Sequence, residues 1–277
     1  MVKYIPGVRL HDYGRGTPEE MFARVKAAGY DCVQLAYRAA ITGIREYEDI
    51  GPEIIERTLE AKEKYNMTIA VLGTYVELAM NDEAVRSRNV EIFKKQLAVC
   101  KALGAWCIGT ETTSMKLQPP GTTRERGQYL LCKSLDEILP EAERLGVTVG
   151  IEAVSYHSMN TPEAVRRILD SMQSPALKVI FDAGNILTAD QVSGQEQLWQ
   201  RTGELIGDKI AAMHFKGEGF DAEGNPLQTD LEHSVIDWDS VFRMMKKFPQ
   251  TIPVLREEAI PEKAASDLRE MHRLFRI

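Results

Sequence analysis

Four residues able to bind a metal stand at the ends of four successive apolar segments. They are Glu152 in VGIEA, Asp182 in VIFDAGN, His214 in AAMHFKG and Glu257 in PVLREE. They lie 30, 32 and 43 residues apart, so no local structure can gather them. Only a fold that brings four segment ends to one place can do so. Three carboxylates and one imidazole form a mostly hard, oxygen-rich donor set. It suits one divalent ion, with Mn²⁺ favoured and Mg²⁺, Co²⁺ or Zn²⁺ as alternatives, better than a thiolate-type structural zinc site. Taken singly, each residue has an ordinary explanation: Asp182 before AGN fits a turn or helix cap, and His214 after AAM fits the edge of a core. The same placement at four successive segment ends has no such explanation, because charged groups are rarely held inside apolar runs without a partner.

The elements that must position these residues follow from periodicity. Short apolar runs rich in β-branched residues alternate with longer amphipathic stretches. The predicted strands are Tyr4–Leu10, Asp31–Tyr37, Met67–Gly73, Ala105–Thr110, Val147–Glu152, Leu177–Asp182, Ile210–Phe215 and Ile252–Glu257. Helices fit between them. Thr17 caps a helix beginning at Pro18, with Glu20 completing a capping box, and TPEA at Thr161–Ala164 repeats the device. Further helices are predicted over Gly51–Tyr65, Asp82–Leu103, Thr123–Leu145, Gln191–Ile206, Trp238–Lys247 and Ala264–Phe275, and Gly29, Gly104 and Gly146 fall just past helix ends. Eight strand-then-helix units without a composition break predict a single α/β domain over residues 1–277, a closed (β/α)₈ TIM barrel. An open doubly wound sheet is the weaker alternative, since no GxGxxG or GxxxxGK[ST] follows the first strand. Parallel barrel strands deliver all four metal-binding candidates to the C-terminal mouth, and the stretches Lys116–Thr122 and Gly217–His233 are expected as long loops over it.

Composition narrows the function. The 277 residues carry 34 Lys and Arg against 41 Asp and Glu, a net charge of −7. An acidic chain without a basic tract is a poor partner for nucleic acid. No apolar run reaches the roughly 20 residues of a membrane helix, and the N-terminus MVKYIPGVRL lacks a secretory apolar stretch, so a soluble, cytoplasmic protein is expected. Cys32, Cys100, Cys107 and Cys132 form no CxxC pair and are expected to be reduced packing residues.

GIEA, FDAGN, the HxK of HFKG, SVIDWDSVF and PVLREEA closely resemble the xylose isomerase-like sugar phosphate isomerase/epimerase superfamily. The resemblance covers essentially the whole chain, with its specific motifs in residues 147–260. It implies a (β/α)₈ barrel holding one divalent metal through Glu152, Asp182, His214 and Glu257. PVLRE aligns with the family phrase through Glu257 rather than the neighbouring Glu258. It also implies enediolate chemistry, with Glu152 and Glu257 as base and conjugate acid. Proton return to the opposite face is epimerisation; return to the neighbouring carbon is aldose–ketose isomerisation; expulsion of a β-hydroxyl is dehydration.

Substrate contacts are expected from His157, Asn185, Lys216, His11 and Glu111. His157 lies where ketose 3-epimerases carry an acidic contact, and Asn185 where they carry a histidine, so the chain departs from that branch at both positions. Lys216, two residues beyond His214, would share its inward orientation and could bind a carboxylate, phosphate or hydroxyl. Gln34 is a further candidate for the mouth, Tyr75, Tyr156 and Trp106 are candidate pocket walls, and Arg256 is expected to face the helical layer. No Arg cluster or Gly-rich anion cradle stands out, which favours a non-phosphorylated sugar, polyol or keto acid. The alternatives are a lyase of the same superfamily (inosose dehydratase-like, or cleaving an oxidised glycoside) and a non-catalytic carbohydrate-binding barrel subunit. Abasic-site endonucleases of the superfamily look like histidine-rich trinuclear zinc proteins, which five histidines and a negative charge oppose. A homo-oligomer is in keeping with the family.

Overall fold

The computed structural model describes residues 3–276, so Met1, Val2 and Ile277 of the expected domain lie outside the description. Eight parallel strands close into a barrel: β1 (Lys3–Arg9), β2 (Cys32–Leu35), β3 (Thr68–Gly73), β4 (Cys107–Glu111), β5 (Thr148–Glu152), β6 (Leu177–Asp182), β7 (Ile210–Phe215) and β10 (Thr251–Arg256). β1 pairs with both β10 and β2, which closes the ring. The numbering skips because β8 (Gly217–Phe220) and β9 (Pro226–Thr229) form an antiparallel hairpin after β7, inside the stretch expected to be a plain loop. The outer layer comprises α1 (Pro18–Ala28), α2 (Tyr37–Ala40), α3 (Pro52–Lys64), α4 (Glu83–Leu103), α5 (Arg124–Leu145), α6 (Pro162–Met172), α7 (Ala183–Ile186), α8 (Gln195–Ile206), α9 (Trp238–Met245) and α10 (Ala264–Leu274).

Helix ends follow their local chemistry. The Thr17 hydroxyl accepts from the Glu20 N–H and the Glu20 carboxylate accepts from the Thr17 N–H, a complete capping box. At α6 only half of the expected device forms. Thr161 accepts from the Ala164 N–H, but alanine at the third position has no group to reach back. α4 and α5 close on Gly104 and Gly146 at φ 59° and 68°, a conformation that any other L-residue would adopt at a cost. α8 starts four residues later than the sequence predicts, because the segment before it winds as a 3₁₀ turn.

Two apolar layers hold the barrel. The larger lies between strands and helices and includes Phe22, Phe93, Phe181, Trp199 and Phe242, all fully buried. The smaller fills the barrel's interior: Cys32, Ala70, Val71, Cys107, Ile180, Ala212 and Leu255. Its members are small because eight strands enclose little room. Ile180 fills much of it, and a Cβ on Gly109 or Gly150 would come within 2.4 or 2.9 Å of its side chain. Among the described residues no helix is long and apolar enough to cross a membrane.

Candidate active site at the barrel mouth

Side chains alternate along a strand, so residues two positions beyond the interior layer also point inward, one level higher. That rule places the four converging residues. Gly150 is followed by Glu152, Ile180 by Asp182, Ala212 by His214 and Leu255 by Glu257. Register then aligns the levels: Asp182 sits beside His214, and Glu111 beside Glu152. Arg256, pointing the other way, is buried against α10 with its Nε 2.8 Å from Asp267.

The four residues converge on one atom. His214 Nδ1 lies 3.3 Å from Glu152 Oε1, 3.6 Å from Asp182 Oδ2 and 3.4 Å from Glu257 Oε1. Glu152, Asp182 and His214 each offer a ligand atom within 4.8 Å of the others. All four are buried. Although surrounded by carboxylates, His214 Nδ1 makes no hydrogen bond. Its Nε2, by contrast, is 2.8 Å from Gln34 Oε1. A buried nitrogen without a hydrogen bond, facing three carboxylates, fits a divalent cation well, and the donor set is the hard one described above.

Electrostatics agree that the centre is built for positive charge. Burial works against the His214 imidazolium, yet Glu257 and Glu152 hold its pKa well above the ordinary value. Burial likewise opposes the Asp182 carboxylate, but Lys216 and His214 pull its pKa far down. Glu152 is raised, mainly by burial. Lys216 Nζ lies 2.9 Å from Asp182 Oδ2 and 3.6 Å from Glu257 Oε2, so it braces two of the three carboxylates.

The remaining candidates divide. Asn185 donates from Nδ2 to Glu152 Oε1 at 2.6 Å and accepts from Lys216 Nζ at 2.7 Å; it ties the charged pair together. Asn185, Lys216, Glu111, Glu257 and Glu258 line a cavity of about 250 Å³ at the mouth, with Tyr156 on its rim. Burial first, then Glu152 and Glu257, push the Glu111 carboxyl up to about 8. His157 is buried behind it, with Nε2 3.8 Å from Glu111 Oε2, and burial lowers its pKa to about 4, so the ring is neutral. His11 sits on the 3₁₀ turn after β1 (Leu10–Tyr13) and is not among the residues lining the cavity. Trp106 precedes β4 at the opposite end of the barrel and cannot wall the mouth, because a parallel strand carries its first residue away from its last. Gln34 is only 2% exposed and reaches His214 rather than the cavity.

Glu257 and Glu258 take different directions. β10 ends at Arg256, and Glu258 adopts φ 55°, which turns the chain. Both residues line the cavity, but Glu257 is the one within reach of His214 Nδ1.

Two charged residues at the mouth escaped the sequence reading. Arg9, at the end of β1, reaches Glu257 Oε1 at 3.5 Å and Asp12 Oδ1 at 2.9 Å. The alternation that places Glu152 would have found it, since Arg9 stands two residues beyond Gly7, whose absent Cβ would crowd Cys32. Glu218, on the unforeseen hairpin, lines the cavity, and burial raises its pKa to about 7. A larger cavity of about 470 Å³ lies between α10 and the loop before α9, but none of the four converging residues borders it.

Comparison with known proteins agrees on the fold. A 3-oxo-isoapionate decarboxylase of Pectobacterium atrosepticum is 24% identical over 74% of this chain and 69% of its own length. The crystal structure of a D-tagatose 3-epimerase-like protein superposes with a TM-score of 0.74 at 16% identity, covering 98% of each chain. The IOLI protein with a bound zinc atom superposes at 0.73 and 16% identity, covering 97% of this chain and 96% of the other. Residues 22–275 match the model of the xylose isomerase-like TIM barrel, and the chain belongs to that family.

Proposed function

We propose that the protein is a divalent-metal-dependent sugar isomerase or epimerase that abstracts a proton next to a carbonyl. The observation that carries this reading is the convergence of Glu152, Asp182 and Glu257 on the His214 Nδ1 atom. These four residues would hold the ion, with Mn²⁺ favoured by three carboxylates and one imidazole. When bound, such an ion supplies Lewis acidity that stabilises an enediolate formed from the substrate.

The chain's own groups do the rest. Glu152 ends β5 and Glu257 follows β10, with β6 and β7 between those strands, which supports a placement on two sides of the reacting carbons. One removes a proton from the carbon beside the carbonyl and the other returns one. Return to the opposite face of that carbon epimerises it; return to the neighbouring carbon isomerises the sugar. Asn185 holds the Glu152 carboxylate in place, and Arg9 and Lys216 do the same for Glu257. Glu111, Asn185 and Lys216 offer hydrogen bonds to hydroxyls of a non-phosphorylated sugar, polyol or keto acid. His157 and His11 do not line the cavity and are given no direct contact with substrate.

The test has two steps. Elemental mass spectrometry of the purified protein should find about one divalent metal per chain, lost in Glu152→Gln and His214→Ala. The Mn²⁺-loaded protein, incubated with a panel of ketoses and keto-polyols in D₂O, should then wash deuterium into an unchanged carbon skeleton. A protein that neither carries nor binds metal would end this reading.

A second reading is a lyase, favoured by the resemblance to the Pectobacterium decarboxylase. Loss of CO₂ from a 3-oxo acid leaves the same kind of enolate that proton abstraction does. Release of CO₂ or water in the same screen would select it.

A further inference from the structure

We infer that Gln34 is a positioning residue for the metal centre: its side-chain amide sets the tautomer in which His214 offers Nδ1 to the metal. The inference rests on the metal reading above.

A neutral imidazole carries one N–H, and the partner at one ring nitrogen decides which nitrogen that is. Gln34 comes from β2, which is separated from β7 in the ring by β1 and β10, so its contact with His214 crosses the interior of the barrel. It stands two residues beyond Cys32 of the interior layer and is 2% exposed. Its Oε1 lies 2.8 Å from His214 Nε2, close enough to accept the ring proton there. Its Nε2 donates to the Tyr75 hydroxyl at 2.5 Å. With the NH₂ end engaged by Tyr75, the oxygen end faces the histidine. In the neutral ring that a metal requires, His214 then carries its proton on Nε2, and the Nδ1 lone pair is turned toward the carboxylates. The reversed amide would leave the proton on Nδ1, where it blocks a metal. Outer partners of this kind typically change metal affinity 10- to 100-fold. Gly73 gives Tyr75 room, because a Cβ there would lie a tight 3.3 Å from its ring.

The experiment measures Mn²⁺ affinity by electron paramagnetic resonance for the unsubstituted protein, Gln34→Leu, Gln34→Glu and Tyr75→Phe, with folding checked by circular dichroism. Nitrogen NMR of the Zn²⁺-loaded protein reports which His214 nitrogen keeps its proton. Gln34→Leu should weaken Mn²⁺ about 10- to 100-fold. Gln34→Glu, which can only accept, should restore binding, and Tyr75→Phe should lose less than Gln34→Leu. The NMR should place the proton on Nε2. Unchanged affinity in folded Gln34→Leu, equal losses in the Leu and Glu variants, or a proton on Nδ1 would each overturn the inference. Absence of Mn²⁺ binding by the unsubstituted protein would overturn the metal reading and this inference with it, an outcome told apart because no variant is involved.

Discussion

At the level of the mouth, the two halves of the barrel hold equivalent positions and fill them differently. β5, β6, β7 and the residue after β10 present Glu152, Asp182, His214 and Glu257, the proposed metal ligands, with the three carboxylates gathered on His214 Nδ1. β1 to β4 present Arg9, Gln34, Gly73 and Glu111 at the matching places. The first half therefore supplies a cation that braces Glu257, an amide that holds His214, space for Tyr75, and one carboxyl bordering the cavity. Identical backbone geometry does not create a site. On the proposed reading, one half carries the groups that bind the ion and react, and the other mainly supports them, a division in which outer contacts matter nearly as much as the ligands.

The contrast can be broken most sharply at the proposed acid and base. Glu152→Gln or Glu257→Gln should cost about 10²- to 10⁴-fold in deuterium exchange, with the fold intact. Unchanged exchange in either variant removes that residue from the mechanism. His214→Ala should strip the metal, read by elemental analysis; full occupancy in that variant would mean that the second half does not hold the ion. Below both halves, Ile180 fills the interior against Gly109 of β4 and Gly150 of β5. Ile180→Ala should destabilise the protein by about 2–5 kcal/mol in urea unfolding, since the closed ring cannot collapse onto the cavity. A loss below ~1 kcal/mol would show that the interior is less tightly packed than the glycine contacts indicate. Glu111→Gln should be milder, about tenfold or less in KM, in keeping with one lost hydrogen bond. If it proves as damaging as Glu152→Gln, the two halves do not divide the labour. Glu258→Gln should have the smallest effect, about threefold or less; a severe loss there would exchange its role with that of Glu257.

Much of this molecule was legible before folding was considered. Eight strands and their helices follow from local periodicities of two and 3.6 residues, and the caps at Thr17, Gly104 and Gly146 from single-residue chemistry. Glu152, Asp182, His214 and Glu257 stood out because each interrupts an apolar run at its end. Arg9 did not, because the predicted first strand ran one residue too far and moved attention to His11. The hairpin after β7 did not, because GEGF and PLQT lack the apolar alternation that marks a strand; GEGF is buried at the mouth while PLQT stays exposed.

What the chain determines alone is therefore the order of its elements and the faces their residues occupy, since both are written in spacings of a few positions. Closure of the barrel decides that Gln34 meets His214 and Arg9 meets Glu257, and pairing of neighbouring strands decides that Asn185 meets Glu152 and Lys216 meets Asp182. The first two partnerships need β1 paired with β10, and the other two need only the register of β5, β6 and β7.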